Sequence, residues 1–256
     1  MQAASYTDCM SQPPASHPSR SPRLLALDTA TERMALAVVS GDRQWLADEA
    51  GGARASQRAL PLAFELLDRA GLTLADLDAI AFGQGPGAFT GLRTACSVAQ
   101  GLAFGAGLPV LAIDSLALLA EDAFAQQGST QVWVAMDARM DEVYAAAYRR
   151  QGERWQVVQA PALWTLPALA AAWRQAPPLC VAGSAPAAFG ARLPTGAAIC
   201  VPDTGERAAA LAQLARAAWQ SGAAMDAALA LPLYLRDKVA LTTQERASAA
   251  AAKVVV

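Results

Sequence analysis

Histidine and lysine are almost absent from this sequence of 256 residues. The single histidine, His17, lies in a Pro- and Ser-rich stretch, and the two lysines, Lys238 and Lys253, lie near the C-terminus. Without a histidine in the folded body, a Ser-His-Asp or Cys-His nucleophilic centre and a histidine-based metal site are excluded. The GxxxxGKS/T phosphate loop is also missing. The sequence therefore predicts no catalytic residue and no metal site.

Cysteine and charge are scarce too. The four cysteines (Cys9, Cys96, Cys180 and Cys200) are far apart and form no CxxC pair, which is typical of reduced, mostly buried thiols in a cytoplasmic protein. Charged residues make up 16%, and the net charge of −2 gives no general attraction to nucleic acid. No apolar run reaches the roughly 18 residues of a membrane span. We therefore expect a cytoplasmic protein without a membrane segment.

The apolar and turn patterns predict the same order of elements twice. Strands at residues 23–29, 34–39 and 44–48 precede a helix at 56–70, a strand at 78–82, a helix at 90–104, a strand at 109–113 and a helix at 115–125. Three further strands, at residues 131–136, 142–148 and 155–159, are followed by a helix at 166–174, a strand at 179–182, a short helix at 187–192, a strand at 199–201 and a helix at 207–220. The repeated βββαβαβα order predicts an α/β protein of two ribonuclease-H-like lobes related by duplication, as in actin-like ATPases.

The expected domain limits follow from this order. Residues 23–114 should form the N-terminal lobe and residues 115–232 the C-terminal lobe. Residues 233–256 should pack back on the first lobe and end in a loose tail. Residues 1–22 contain no apolar run of signal-peptide length, and we expect them to be a disordered extension.

One aspartate follows the first strand of each lobe, and both aspartates are candidates for cofactor binding. Asp28, Thr29 and Thr31 lie in the segment DTATE, and Asp137 has the corresponding place in the second lobe. In ATPases of this architecture, such a carboxylate serves Mg²⁺ and such hydroxyls contact phosphates. The turn lacks the usual glycine, however, so the alternative is that these side chains only stabilise β-turns.

The segment GQGPGAFTGLR at residues 83–93 connects a strand to a helix. Gly85 and Gly87 permit close backbone approach, and Thr90 is the predicted N-cap of the helix. The first amides of the helix, with Arg93 one turn further, could hold an anion. The segment matches neither GxGxxG nor a phosphate loop. The alternative is a sharp turn that presents the helix.

Small residues recur every four positions in that helix, at Gly91, Ala95, Ala99 and Ala103. Such a stripe allows another helix to approach closely. The approaching helix could belong to a partner or to the same chain, because periodicity alone fits both arrangements.

Six segments resemble the TsaB family in order and spacing, and together they cover residues 23 to about 240. They are LLALDTATE (24–32), RASQRALP (54–61), GQGPGAFTGLR (83–93), AQGLAFGAGLPVLAIDSL (99–116), DARMDEVYAAAY (137–148) and PLYLRDKVA (232–240). The glycine-rich segment is the specific one. One departure is Ala55, which stands where the family usually has histidine.

The resemblance implies a partner subunit rather than a complete enzyme. TsaB-like proteins pair with TsaD, which threonylcarbamoylates adenosine in tRNAs that read codons beginning with A, and a TsaE-like ATPase joins them. The pairing through N-terminal-lobe helices implies an interface here at Leu60 and Phe64 and at the small-residue stripe. It also implies no tightly bound cofactor in this chain alone, with ATP or ADP and tRNA engaged only by the complex.

Other functions stay open on the sequence. A stand-alone actin-like ATPase or kinase would use Asp28 and Asp137. A peptidase, a label once given to the family, is disfavoured by the missing histidine and lysine. An isolated chain with an apolar helix face is also expected to form a homodimer.

Overall fold

The computed structural model describes residues 21–203 and 206–236. The predictions for the extension up to residue 20 and for the tail after residue 236 concern residues outside this part of the chain. The described strands and helices of the first half are β1 (Arg23–Asp28), β2 (Arg33–Ser40), β3 (Arg43–Ala50), α1 (Ala55–Ala70), β4 (Ala79–Gly85), α2 (Phe89–Ala106), β5 (Val110–Asp114) and α3 (Ser115–Gln127).

The second half repeats this order. Its elements are β6 (Gln131–Asp137), β7 (Glu142–Gln151), β8 (Arg154–Thr165), α4 (Leu166–Gln175), β9 (Cys180–Ala182), α5 (Ala185–Phe189), β10 (Ile199–Val201) and α6 (Ala208–Gln220). Short 3-10 turns occur at Gly52–Arg54, Leu74–Asp76, Gly190–Arg192 and Ala227–Leu229.

Each half forms a five-stranded mixed sheet. The first sheet has the order β3-β2-β1-β4-β5 and the second has the order β10-β9-β6-β7-β8. Counted within its own half, each sheet places its first strand in the centre, between the antiparallel second strand and the parallel fourth strand. The predicted class, an α/β fold of two duplicated ribonuclease-H-like lobes, is confirmed.

The central strands are apolar on both faces because helices cover both faces. On one face of the first sheet, α1 and α2 enclose a core that includes Leu25, Leu27 and Phe82. The buried positions of α1 recur at three- and four-residue intervals, and the helix ends at Gly71, whose φ of 67° suits a left-handed C-cap. The other face of this sheet packs against α6.

The two halves exchange their last helices. α6 follows the second sheet in sequence, but its Leu211 and Ala215 pack on the first sheet. α3 follows the first sheet, yet its Leu119 and Ala123 share a core with Val134 of the second sheet. Each sheet therefore packs against a helix from the other half of the chain, and the domain limits at residues 114 and 115 stay a prediction.

Several element bounds differ from the sequence-based expectations. β8 extends to Thr165, well past the predicted end at residue 159, and it contains Pro161. A proline is tolerated there because β8 is an edge strand of its sheet. α2 begins at Phe89 with Ala88 as its N-cap, so the prediction that Thr90 is the N-cap was wrong. The residues 187–192 form the end of α5 and a 3-10 turn rather than one helix.

Candidate functional site

A cleft of about 650 Å³ lies between the two lobes. The first lobe contributes the turn after β1, the glycine-rich segment and the start of α3, and the second lobe contributes the turn between β6 and β7. Residues 232–236 are called the strap below, and residues 233–236 of the strap also line the cleft. Its wall is largely apolar, with Leu116, Met136 and Tyr144 among the side chains that face it.

Asp28 and Thr29 lie beneath this cleft and are used internally. Asp28 is 1% exposed, and Thr29 is fully buried. Asp28 Oδ2 accepts a hydrogen bond of 2.6 Å from Ser115 Oγ, and its Oδ1 accepts one of 2.9 Å from the Ala30 amide. Thr29 Oγ1 donates to the Gly91 carbonyl at 2.6 Å. The prediction that these two residues bind a cofactor gains no support here, because their polar atoms stabilise the turn and neither residue lines the cleft.

The glycines of residues 83–93 allow this turn to pack against the next loop. A Cβ at Gly91 would lie 1.9 Å from the Thr29 carbonyl oxygen, and one at Gly87 would lie 2.4 Å from the Ala30 carbonyl oxygen. The Ala88 amide donates to that same Ala30 carbonyl at 2.7 Å. Protein backbone therefore packs directly against Gly87 and Gly91, and these contacts favour the interpretation of the segment as a sharp turn.

The remaining glycine-segment candidates are also engaged within the chain. The Gly85 amide donates to Ser115 Oγ at 3.1 Å, so it belongs to the same buried network as Asp28. Arg93 is exposed, but its guanidinium stacks 3.8 Å from the Phe89 ring centroid, and its Nε donates to Tyr234 Oη at 3.1 Å. Thr31 lines the cleft, where its hydroxyl bonds to the backbone of Arg33.

Asp137 does line the cleft, although not together with Asp28. Its Oδ1 accepts from the Arg139 amide at 2.8 Å, and its Oδ2 lies 3.5 Å from the Arg139 guanidinium. Arg139, Met140 and Asp141 all have φ near +60°, a left-handed turn that side chains rarely adopt. These contacts favour the alternative that Asp137 stabilises a turn, and of the two aspartates only Asp137 lines the cleft.

The charges around the cleft are compensated. Arg207 pairs with Asp203, Arg236 with Glu142, and Arg139 with Asp137. A polyphosphate would have to compete with these carboxylates for the arginines. The cleft therefore lacks the excess positive charge that favours nucleotide phosphates.

The strap connects the lobes across the cleft. Its Leu233 amide donates to the Gln84 carbonyl of the first lobe at 2.7 Å, and the Tyr234 ring lies 5.0 Å from the Phe89 ring. At its other end, Arg236 Nη2 donates to Glu142 Oε2 of the second lobe at 2.6 Å. These contacts attach the strap to both lobes.

A second cleft between the lobes, of about 240 Å³, contains a buried acid and a buried phenol. Tyr148 Oη donates to Asp114 Oδ2 at 2.6 Å. Burial raises the pKa of Asp114 above its ordinary value. Burial, followed by the neighbouring Asp114 charge and the hydrogen bond to it, also raises the pKa of Tyr148. The phenol and the carboxyl group are each other's hydrogen-bond partners, and this pair links the start of α3 to β7.

The small-residue stripe of α2 is not on the surface. Gly91 is buried, and Ala95, Ala99 and Ala103 are fully buried in the core of their own lobe. The prediction that this stripe meets a partner was therefore wrong, and the open alternative, burial inside the monomer, is what the structure has. Periodicity marks the stripe as close-packed but does not identify what packs on it.

The other two predicted interface residues are exposed. Leu60 is 40% exposed and Phe64 is 47% exposed, one turn apart on α1. Phe104, which was not among the predicted interface residues, is 61% exposed on the neighbouring helix α2. Phe104 lies at helical spacing from Arg93, Ser97 and Gly101, which are all exposed. This stripe of polar or small residues is the sequence signal that could have identified Phe104 as exposed. Leu60, Phe64 and Phe104 are called the helical face below.

Within the described parts of the chain, no group of three or more His, Cys, Asp or Glu side chains could hold a metal ion. None of the helices in these same parts combines the length and apolar character that crossing a membrane requires. The described residues contain neither histidine nor lysine, so the peptidase hypothesis gains no support from the site.

A family model and two relatives match this chain. The model, described as TsaD, tRNA N6-adenosine threonylcarbamoyltransferase, matches residues 49–253. The tRNA threonylcarbamoyladenosine biosynthesis protein TsaB of Escherichia coli is 40% identical over 145 residues, which are 54% of this chain and 63% of that protein. The TsaB protein of Haemophilus influenzae is 44% identical over 131 residues, 51% of this chain and 56% of its own length. The matches thus span about three fifths of these relatives.

Solved structures match over a larger share of the chain. YeaZ from Pseudomonas aeruginosa is 40% identical and has a TM-score of 0.77, covering 84% of this chain and 100% of that one. A second structure, titled as an uncharacterized protein with similarity to peptidase YeaZ from Pseudomonas aeruginosa, has the same identity and a TM-score of 0.78.

Proposed function

The chain belongs to the TsaB family, and from this premise we propose that it is a non-catalytic partner subunit of a TsaD-like threonylcarbamoyltransferase. In this role it binds the TsaD-like subunit and supports threonylcarbamoylation of adenosine in tRNAs that read codons beginning with A. The partner subunit, and not this chain, supplies the transferase site.

One observation carries the partner role: large apolar side chains stand exposed on two neighbouring helices. Leu60 and Phe64 on α1 and Phe104 on α2 project from a lobe whose own core is already filled beneath them. A helix pair with an apolar outer edge is the kind of surface that another helix pair covers, because covering it removes apolar area from water. The helical face therefore replaces the buried stripe as the proposed interface.

The non-catalytic assignment is supported by what the candidate site residues do. Asp28 and Thr29 are both buried and make internal hydrogen bonds, to Ser115 and to the Gly91 carbonyl. A stand-alone ATPase or kinase would need these groups free to meet Mg²⁺ and phosphate. Their placement instead gives a rigid support for the start of α2.

The remaining partners follow from the proposed complex. A TsaE-like ATPase joins the pair, tRNA is contacted only through the complex, and ATP or ADP binds at that level rather than to this chain alone. We further propose that the chain works in the cytoplasm and that, in isolation, it forms a homodimer through the helical face.

A binding experiment tests the partner role directly. Phe64→Glu places a charge in the centre of the proposed interface, and we expect it to weaken binding to the TsaD-like subunit at least about tenfold, the effect of losing one hot-spot side chain. Val157→Glu is the matched control, because Val157 is 50% exposed on β8 of the other lobe. Calorimetry measures both variants against the unchanged chain.

The same preparations can be used in a reconstituted transfer assay with the TsaD-like subunit, the TsaE-like ATPase, threonylcarbamoyl-adenylate and tRNA. We expect modification to require this chain, to fall with Phe64→Glu and to be unchanged with Val157→Glu. Equal modification with and without this chain would rule out the proposed function.

A further inference from the structure

The segment after α6 presents two leucines beside α2. Residues 227–231, called the shelf, include both buried and exposed positions. Ala227 is 4% exposed and Ala230 is 1% exposed, and both belong to the same core as α1 and α2. Leu229 and Leu231, in contrast, are 66% and 71% exposed. Two large apolar side chains thus point into solvent on either side of a buried alanine.

The shelf is held in place by α2. Gln100 Nε2 donates to the carbonyl of Ala227 at 3.0 Å and to that of Ala230 at 3.2 Å. The Ala230 carbonyl also accepts from Cys96 Sγ at 3.4 Å. The turn itself is capped by Asp226, whose Oδ1 accepts from the Ala228 amide at 2.8 Å. A segment fixed in this way loses little conformational entropy when a partner covers it.

The shelf adjoins the exposed edge of α2. Cys96 and Gln100, its two attachment points, border the exposed positions Ser97 and Gly101, and Phe104 lies one helical turn beyond Gln100. Leu229 and Leu231 therefore lie on the same side of the first sheet as the helical face. Leu60, Phe64, Phe104, Leu229 and Leu231 are thus exposed apolar side chains on three elements, α1, α2 and the shelf, whose buried residues share one core.

The size of a stable interface gives a reason for this extension. A standard protein–protein interface uses roughly 20–30 residues on each side, and its centre is depleted of charge. The helical face supplies only three large apolar side chains. The shelf, with the sequence AALAL at 227–231, contains no charged residue and adds two large exposed apolar side chains to these three.

We infer that the shelf is a second contact element for the TsaD-like subunit, with Leu229 and Leu231 inserting into an apolar surface of that partner. This inference rests on the proposed function, since it names the same partner and extends the same interface. The occupant it requires is apolar and uncharged where it meets the shelf, because an unpaired charge buried against the two leucines would be costly.

Calorimetric titration of the purified TsaD-like subunit into the full chain tests the inference. We expect Leu231→Glu and Leu229→Glu each to weaken binding by about tenfold or more, and Leu231→Ala to weaken it by a smaller factor. Val158→Glu, at 55% exposure on β8, is the matched control and should bind like the unchanged chain. Thermal unfolding of each variant checks that the fold is retained, as expected for residues this exposed.

The outcomes separate this inference from the proposed function. If Phe64→Glu loses binding while both shelf glutamates bind like the unchanged chain, the inference is overturned and the proposed function stands. If the unchanged chain does not bind the TsaD-like subunit, the proposed function fails. If the shelf glutamates abolish only the homodimer, measured by light scattering, the occupant is a second copy of this chain and the inference is again overturned.

Discussion

At two glycines of α2, the surrounding space determines whether a larger side chain can be accommodated. Gly91 sits where α2 passes the turn after β1, and the Thr29 carbonyl oxygen leaves no room for a Cβ. Gly101, ten residues later in the same helix, has no atom within 4 Å of the place where a Cβ would stand. Two glycines of one helix thus have different roles, one enforced by packing and one not.

Replacing each glycine by alanine should therefore have opposite effects on the free energy of unfolding. We expect Gly91→Ala to lower the free energy of unfolding by roughly 2–4 kcal/mol, because backbone must move to relieve the overlap. Gly101→Ala should raise it by roughly 0.5–1 kcal/mol, the difference in helix propensity. Urea unfolding followed by circular dichroism measures both, and equal stability of the two variants would contradict the close-packing role of Gly91.

At the scale of elements, helix ends of one lobe are fixed by groups of the other. Asp114 is the N-cap of α3 and accepts from Tyr148 on β7. In the reverse direction, Asp48 on β3 accepts from the Arg207 and Ala208 amides at the start of α6. Each exchanged helix is thus capped where it enters the other lobe, which positions both helices more exactly than apolar packing alone.

The Tyr148 link predicts a loss of stability in alkali. The pKa of Tyr148 is raised in the folded state above its ordinary value of 10.0, chiefly by burial. Above that pH the unfolded chain releases the phenol proton and the folded chain keeps it, so stability falls as the pH rises.

We expect this residue to contribute a decrease of about 1.4 kcal/mol in the free energy of unfolding per pH unit above pH ~10. Tyr148→Phe removes that contribution, so its stability should fall less steeply. Urea unfolding at about pH 9 and about pH 11 gives both slopes. Parallel slopes for the two proteins would contradict the burial of a neutral Tyr148.

At the scale of the whole molecule, the strap complements the exchanged helices. It bonds to Gln84 in the first lobe and to Glu142 in the second, so it bridges the cleft that the exchanged helices leave open on one side. Arg236 is the distal anchor, with its side chain 14% exposed, and it also donates to the Arg139 carbonyl of the left-handed turn.

Arg236→Gln should loosen this anchor. We expect a loss of roughly 1–3 kcal/mol in the free energy of unfolding, because the Glu142 carboxylate loses its charged partner in a largely buried site. Arg192→Gln is the control, since the Arg192–Asp141 pair is exposed and should contribute less than about 0.5 kcal/mol. Hydrogen exchange of the strap amides should be faster only in Arg236→Gln. Unchanged exchange there would mean that the strap is held by its first-lobe contacts alone.

The sequence by itself determined the fold class and the order of the elements. Both depend on local signals: apolar alternation for strands, three- and four-residue spacing for helices, and glycine where a helix ends, as at Gly71. The departures were also local in origin. β8 was predicted too short because Pro161 interrupts its apolar pattern, and the sheet tolerates that proline only because β8 lies at an edge.

Only the tertiary structure decided which surfaces are available for function. Periodicity identified the stripe ending at Ala103 as close-packed, but the covering atoms belong to elements distant in sequence, so its burial could not be predicted. The role of Asp28 could not be predicted either, because its carboxylate accepts a hydrogen bond from Ser115, which is 87 residues away in the sequence. Leu229 and Leu231 look like ordinary apolar residues in the sequence. Their exposure follows from Gln100, which holds the backbone between them against α2.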